Sequence, residues 1–175
     1  AYKYRQDSSF LYFYGQHREG LVGVIDIDNH KEYLIGNDID IEDIVWFGDV
    51  DSVADLAAQS GVEHSAPMSR LEELVRKARS QGRKIHFLPP YRHDLMIQLM
   101  DLTGIHPSRQ REEASLELIM AVIDQRAVKT PAEIKEIERA CAIGHEMHTT
   151  AMRLCRPGVS EQYIAGTISG IASAK

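Results

Sequence analysis

The hydrophobic pattern in the first third of the chain predicts short β-strands. Aromatic and β-branched residues cluster there in short runs that polar or turn-forming residues separate. The segment 28–31, DNHK, supplies turn residues, so the strands on either side of it should form a β-hairpin. Gly48 should end the last of these strands. The four predicted strands are residues 9–14, 21–27, 32–35 and 44–47.

Helical and strand patterns alternate in the middle of the chain. Ser69 and Glu72 predict a capping box at the start of one helix. A further strand is predicted at residues 84–88, before Pro89 and Pro90. The alternation indicates the α/β class, with a mixed β-sheet flanked by helices. Apolar residues that recur every three or four positions predict helices at 52–60, 69–82, 95–104 and 116–123.

From residue 127 onward the pattern is only helical. The segment 130–133, TPAE, predicts a capping box with proline in the first turn, and Ser160 should cap a second helix. Because two isolated amphipathic helices cannot bury their apolar faces, residues 127–175 should open a second domain after a first domain at 1–126. The chain lacks an initial methionine and a final helix-stop signal, so we expect it to be trimmed at both ends.

Charge and cysteine content exclude several classes of protein. The net charge of -6 argues against a nucleic-acid partner, which needs a basic face. No apolar run approaches the ~20 residues that span a bilayer, and no signal peptide is visible, so we expect a cytoplasmic protein without a membrane partner. Cys141 and Cys155 lie on one predicted helix, roughly 21 Å apart, too far to bond to each other.

Three short patterns suggest metal sites, and none satisfies the geometry that a metal requires. HEMH at 145–148 has histidines three positions apart, whereas zincins need four. DIDN at 26–29 begins like a calcium loop, but His30 and Lys31 stand where a ligand and a glycine are required. The acidic residues of 38–43 alternate with isoleucines, which is typical of a solvated face. We assign no metal ligand from these patterns.

Four segments resemble, in the same order, the aminopeptidase P branch of the metal-dependent pita-bread peptidases. The resemblance covers nearly the whole chain. It implies a creatinase-like N-terminal domain followed by the first helices of a truncated pita-bread domain. The four segments are YRQDSSFLY at 4–12 followed by Gly15, DIVWFG at 43–48, RAVKTPAEI at 126–134, and HTTAM with CRPGVSE between 148 and 161.

The resemblance implies a parent enzyme that is an Xaa-Pro aminopeptidase or dipeptidase. Such enzymes cleave peptides with proline at the second position, use two divalent metal ions, usually manganese, and form homo-oligomers. The family's metal ligands are two aspartates, one histidine and two glutamates, and they would lie after Lys175. We therefore assign no catalytic residue here and expect this chain alone to bind no catalytic metal and to be inactive.

Trp46 and Arg126 are the candidate substrate-binding residues that the resemblance implies. Trp46 is the only tryptophan, and in the family a tryptophan here reaches an active-site mouth, often that of a neighbouring subunit. Its alternative role is a core residue in a strand. Arg126 could face the cleft, although an interdomain salt bridge is favoured. Residues 5–7 are interpreted as a loop held by side-chain to backbone bonds rather than as a subunit contact.

Two other functions stay open at this stage. Pita-bread folds also serve as non-catalytic binding modules, and creatinase-like amidinohydrolases share the architecture. The residues that follow Lys175 would discriminate between them, because an enzyme needs the five metal ligands there.

Overall fold

The computed structural model describes residues 4–48 and 50–175, except for the side chains of Ile41 and Phe47. The chain divides into two compact units, Ala1–Val122 and Ile123–Lys175, which are described separately. In chain order the described elements are α1 (Ser8–Tyr14), β1 (Val22–Asp26), β2 (Lys31–Ile35), α2 (Ile41–Phe47), α3 (Val53–Gln59), β3 (His64–Ala66), α4 (Met68–Ser80), α5 (His93–Thr103), α6 (Pro107–Glu113), α7 (Leu116–Ala127), α8 (Pro131–Leu154) and α9 (Glu161–Ala174).

A three-stranded mixed sheet in the order β1-β2-β3 organises the first unit. β1 and β2 form the predicted antiparallel hairpin, with Val24 opposite Tyr33. β3 joins β2 in parallel, with Tyr33 opposite His64. The predicted α/β class, a mixed sheet flanked by helices, is therefore confirmed.

The core of the first unit surrounds the end of β2. Leu34 and Ile35 are completely shielded from solvent. Leu34 clusters with Tyr14 from α1 and with the face of α3 that the apolar spacing predicted. This face consists of Val53, Leu56 and Ala57, all of them buried. Burying a full aliphatic side chain contributes about 1.5–3 kcal/mol, so this cluster is the main source of stability in the unit.

Residues 9–14 form α1, so the predicted first strand is wrong. Asp7 caps this helix because its Oδ1 accepts hydrogen bonds from the Ser9 and Phe10 amides, both at 2.9 Å. Gly15 ends it in the left-handed conformation, with φ at 66°. Phe10 and Tyr14 then stack one turn apart, with ring centres 4.9 Å apart. The caps and this stacking outweigh the β propensity of the aromatic run.

The predicted strand at 44–47 is also wrong, because these residues belong to α2. Asp40 Oδ1 accepts from the Asp43 amide at 2.9 Å and so caps the helix. Glu42 and Asp43 place negative charge in its first turn, where the helix dipole favours it. The predicted stop at Gly48 is right, since Gly48 is the C-cap.

The pattern misassigned the start of α4 and one strand. Ser69 and Glu72 form no capping box, because α4 starts at Met68, one residue after Pro67, and has no side-chain cap. Residues 84–88 are not a strand in the described part of the chain. Two short elements were not predicted: β3, which is too short to show alternation, and α6, which His106 caps through Nδ1.

The second unit contains the two predicted helices with their predicted caps. Thr130 Oγ1 accepts from the Glu133 amide at 3.2 Å, and Glu133 accepts from the Thr130 amide at 2.8 Å. Ser160 caps α9 through the Tyr163 amide. No residue of α8 or α9 is buried, although both helices are described throughout. Both cysteines of this unit are exposed and free.

An ion-pair cluster fixes the hairpin turn that resembled a calcium loop. Arg83 forms ion pairs with both Asp26 and Asp28. Asn29 Nδ2 also donates to Asp26 Oδ2 at 2.7 Å. Hydrogen bonds from Arg83 and then from Asn29 lower the pKa of Asp26 to about 2. The two carboxylates are thus engaged in a structural contact with an arginine.

Gly23 should tolerate no side chain, because a Cβ there would lie 2.1 Å from Tyr14 Cε2. Tyr14 is buried and stacked, so it cannot easily move away. We expect Gly23→Ala to lower the free energy of unfolding by about 2–3 kcal/mol in urea titrations followed by circular dichroism. Gly144→Ala is the control, since a Cβ on α8 meets nothing within 4 Å. An unchanged stability of Gly23→Ala would refute this account of the core.

Asp26→Asn should destabilise the chain at neutral pH and have little effect in acid. The folded-state pKa lies below the ordinary 3.8, so the stabilisation is present above that value and is lost as the pH falls toward 2. We expect a loss of about 1 kcal/mol near about pH 6, discounted because the pair is partly solvated. Urea titrations at several pH values measure it, with exposed Asp124→Asn as the control. A deficit that does not shrink in acid would contradict the assignment.

Candidate functional site

An exposed apolar surface lies on the connection between β2 and α3. We refer to residues 37–52 as the α2 loop; within it, Asp49 lies outside the described residues. Two of its side chains, Val45 and Trp46, are among the most exposed apolar side chains that the structure describes. Its exposed large apolar side chains, with their exposed fractions, are Ile44 (44%), Val45 (80%), Trp46 (83%) and Val50 (37%).

Trp46 is the most exposed of these side chains, and it lies near the C-terminal end of α2. The alternative interpretation, a core tryptophan in a strand, is therefore wrong on both counts. The ring offers a large flat surface that can stack on an apolar group of a ligand. Its role in substrate binding stays a prediction.

Side chains at the start of the α2 loop attach it to the neighbouring elements. Asn37 Oδ1 accepts from the Met68 amide at 2.9 Å, at the start of α4. Asp38 Oδ1 accepts from the Val53 amide at 2.6 Å, at the start of α3. The acidic run at 38–43 therefore includes two caps, Asp38 and Asp40, rather than only solvated carboxylates.

Residues Gln6 and Asp7 hold the loop before α1, as the sequence predicted. Gln6 is buried, and its Nε2 donates to the Arg18 carbonyl at 2.9 Å. Its Oε1 accepts from the Asp7 amide at 2.9 Å. These side-chain to backbone bonds confirm the structural interpretation of this motif.

Arg126 lies in the last turn of α7, in the second unit. Its backbone carbonyl accepts a hydrogen bond from Lys129 Nζ. Trp46 belongs to the first unit, so neither unit brings the two predicted site residues together. Whether Arg126 faces a cleft or forms an interdomain salt bridge stays a prediction.

A cluster of aromatic and charged residues near α5 was missed by the sequence analysis. The Arg92 guanidinium lies 5.6 Å from the centre of the Tyr4 ring, and its Nη2 bonds to Asp94 Oδ2 at 2.6 Å. Burial, followed by the charge of Asp7, raises the pKa of the neighbouring Tyr91. The only sequence signal was the pair Tyr91 and Arg92, directly after Pro89 and Pro90. No known residue spacing links this pair to a particular kind of site.

The described residues do not fit a metal centre. Within 4–48 and 50–175, no three His, Cys, Asp or Glu side chains are grouped so that they could hold a metal ion. His145 and His148 are both exposed on α8. Over the same residues, no helix is long and apolar enough to cross a membrane.

Comparisons with known proteins agree with the fold and the motifs. Residues 1–86 match the family model described as "Aminopeptidase P, N-terminal domain". The chain is 29% identical to the Xaa-Pro aminopeptidase of Escherichia coli (strain K12), over 95% of this chain and 40% of that protein. The chain therefore spans well under half the length of this relative.

Solved structures of Escherichia coli aminopeptidase P share the fold. Two alanine variants of that enzyme each match with a TM-score of 0.71 and 24% identity, over 99% of this chain and 41% of theirs. Its low-pH form matches with a TM-score of 0.67 and 25% identity, over the same shares of the two chains.

The family match and the fold agree that the first part of this chain is similar to the N-terminal domain of aminopeptidase P. Residues 1–86, just under half of the 175-residue chain, match the model of the aminopeptidase P N-terminal domain. The predicted family resemblance is thereby confirmed.

The exposure of Trp46 predicts that this side chain contributes little to stability. We expect Trp46→Ala to change the free energy of unfolding by less than about 0.5 kcal/mol, as for other exposed positions. Leu34→Ala, which truncates a fully buried side chain, should cost about 2–5 kcal/mol and serves as the comparison. Urea titrations followed by circular dichroism measure both. A large loss for Trp46→Ala would mean that the ring is buried.

Proposed function

We propose that this chain is the N-terminal supporting and oligomerisation domain of a cytoplasmic, metal-dependent Xaa-Pro peptidase. The proposed reaction is hydrolysis of the bond that precedes proline in short peptides. The exposed Trp46 in a domain of this family carries the proposal, because a solvated tryptophan is available to a ligand. The relative named Xaa-Pro aminopeptidase supports the reaction class.

In this proposal the α2 loop forms one wall of the peptide cleft, of its own subunit or of a neighbour. The Trp46 ring stacks on the apolar side chain of the substrate proline. Proline has no backbone N–H, so this residue leaves no backbone donor that the cleft would need to pair. Arg126 pairs with a carboxylate, either of the peptide or of the adjoining domain. Walls of this kind restrict the cleft to short or unstructured peptides.

The chemical step in this proposal takes place outside this chain. Two divalent metal ions, which we propose to be manganese, would generate a hydroxide and polarise the scissile carbonyl. The chain itself would bind and orient the peptide and shield the reaction from bulk water. We therefore expect the isolated chain to leave Xaa-Pro peptides intact in the presence of manganese.

The intact gene product tests the proposal by steady-state kinetics on a tripeptide with proline at the second position, in manganese. We expect Trp46→Ala to raise KM about tenfold and to affect kcat less, because the ring contributes binding rather than chemistry. Trp46→Phe should retain part of the affinity, because it keeps an aromatic face. Ile25→Ala is the control, an exposed apolar change on β1 outside the α2 loop.

Three results would contradict the proposal. Hydrolysis by the isolated chain would place the chemistry within these residues. An intact gene product without Xaa-Pro hydrolysis would favour the non-catalytic binding module, for which the same exposed Trp46 would serve a protein partner. Release of urea from a guanidino substrate would instead favour a creatinase-like amidinohydrolase.

A further inference from the structure

Arg18 contacts both ends of the α2 loop. Its Nη1 donates to the Asp51 carbonyl at 3.0 Å, and its Nη2 donates to the Asn37 carbonyl. These two acceptors lie near the end and at the start of the loop, fourteen positions apart in the sequence. One half-buried guanidinium therefore bridges the two backbone segments between which α2 lies.

The backbone of Arg18 is itself held in place by a buried side chain of the first unit. The buried side chain of Gln6 donates to the Arg18 carbonyl at 2.9 Å, which fixes the backbone from which the guanidinium extends. On the far side of the contact, Gln59 Nε2 on α3 donates to the side chain of Asp51, at Oδ2, at 2.8 Å, so the residue whose carbonyl Arg18 binds is also attached to α3. The bridge thus connects the loop to elements that the core keeps in place.

The start of the loop follows directly from the buried end of β2. The Gly36 amide donates to the Ala66 carbonyl at 3.0 Å, which extends the pairing with β3 by one residue. A Cβ at Gly36 would lie 2.7 Å from Leu21 Cδ2, so the backbone passes close to its neighbours there. The loop therefore leaves the sheet from a closely constrained position.

We propose that Arg18 is the positioning residue of the α2 loop, and that it sets the direction and stiffness with which Trp46 is presented. The Arg18 guanidinium is planar and carries several N–H donors. It can therefore bind two acceptors, here the Asn37 and Asp51 carbonyls, at fixed relative positions. A lysine carries its three donors on one nitrogen, so it lacks the two rigidly spaced donor nitrogens with which Arg18 binds the two carbonyls. The role of the presented ring at a peptide cleft rests on the proposed function, whereas the bridge itself does not.

Trp46 is the only tryptophan of the chain, so its fluorescence reports on the α2 loop directly. Time-resolved anisotropy on the 175-residue chain should show a fast local component that grows about twofold in Arg18→Gln, since a released loop moves on the nanosecond scale. Arg18→Lys should give an intermediate increase. Arg76→Gln, on α4, is the control and should leave the anisotropy unchanged.

A purely supporting role in the core would give a different result. If Arg18 only supported the core, Arg18→Gln would have a lower melting temperature, but the motion of Trp46 in the folded chain would be unchanged. This outcome would overturn the proposal. If Arg18→Gln does not fold, Arg18→Lys carries the test, and unchanged Trp46 motion in that variant overturns the proposal in the same way.

Kinetics on the intact gene product separate this inference from the proposed function. Arg18→Gln should raise KM for an Xaa-Pro tripeptide, and the increase should disappear in the Trp46→Ala background, because both changes act through one ring. Greater Trp46 motion without any change in KM would support the bridge and reject the proposed role of Trp46. Unchanged Trp46 motion would reject the bridge whatever the kinetics show.

Discussion

Burial of the end of β2 is the constraint on which the first unit depends. Leu34 and Ile35 are inaccessible to solvent because β2 is paired on both sides and α3 covers it. Tyr14 packs into the same cluster, and its ring occupies the space that a side chain at position 23 would need. Elements before and after the strand are thereby fixed relative to it.

The α2 loop takes its position from this core while contributing little to it. The loop leaves at Gly36, immediately after Ile35, and returns at α3, whose first residue is buried. Between these points it exposes Val45 and Trp46. Because these side chains are exposed, they are accessible to a ligand. A buried core with an exposed aromatic side chain beside it is compatible with the proposed function, in which this chain orients a peptide and another domain performs the chemistry.

The elements that the sequence predicted correctly are those with a local signal. The TPAE capping box and the DNHK turn specify their own geometry through neighbouring residues. Residues 9–14 and 44–47 were misassigned because aromatic and β-branched runs favour strands, whereas the deciding caps, Asp7 and Asp40, lie outside those runs. The contacts of Arg18 could not be predicted, because its acceptors are backbone carbonyls, which every residue carries. Trp46 was singled out through the family resemblance and as the only tryptophan, and the local pattern alone did not decide whether it was exposed or a core residue.

Hydrogen exchange, resolved by amide, tests most directly whether a buried β2 supports an exposed α2 loop. The account predicts that the amides of Leu34 and Ile35 are among the slowest of the chain to exchange, because they open only with the core. The amides of α2, a short and solvated helix, should exchange much faster through local opening. Equal protection of α2 and β2 would show that the α2 loop is part of the core and would contradict the account.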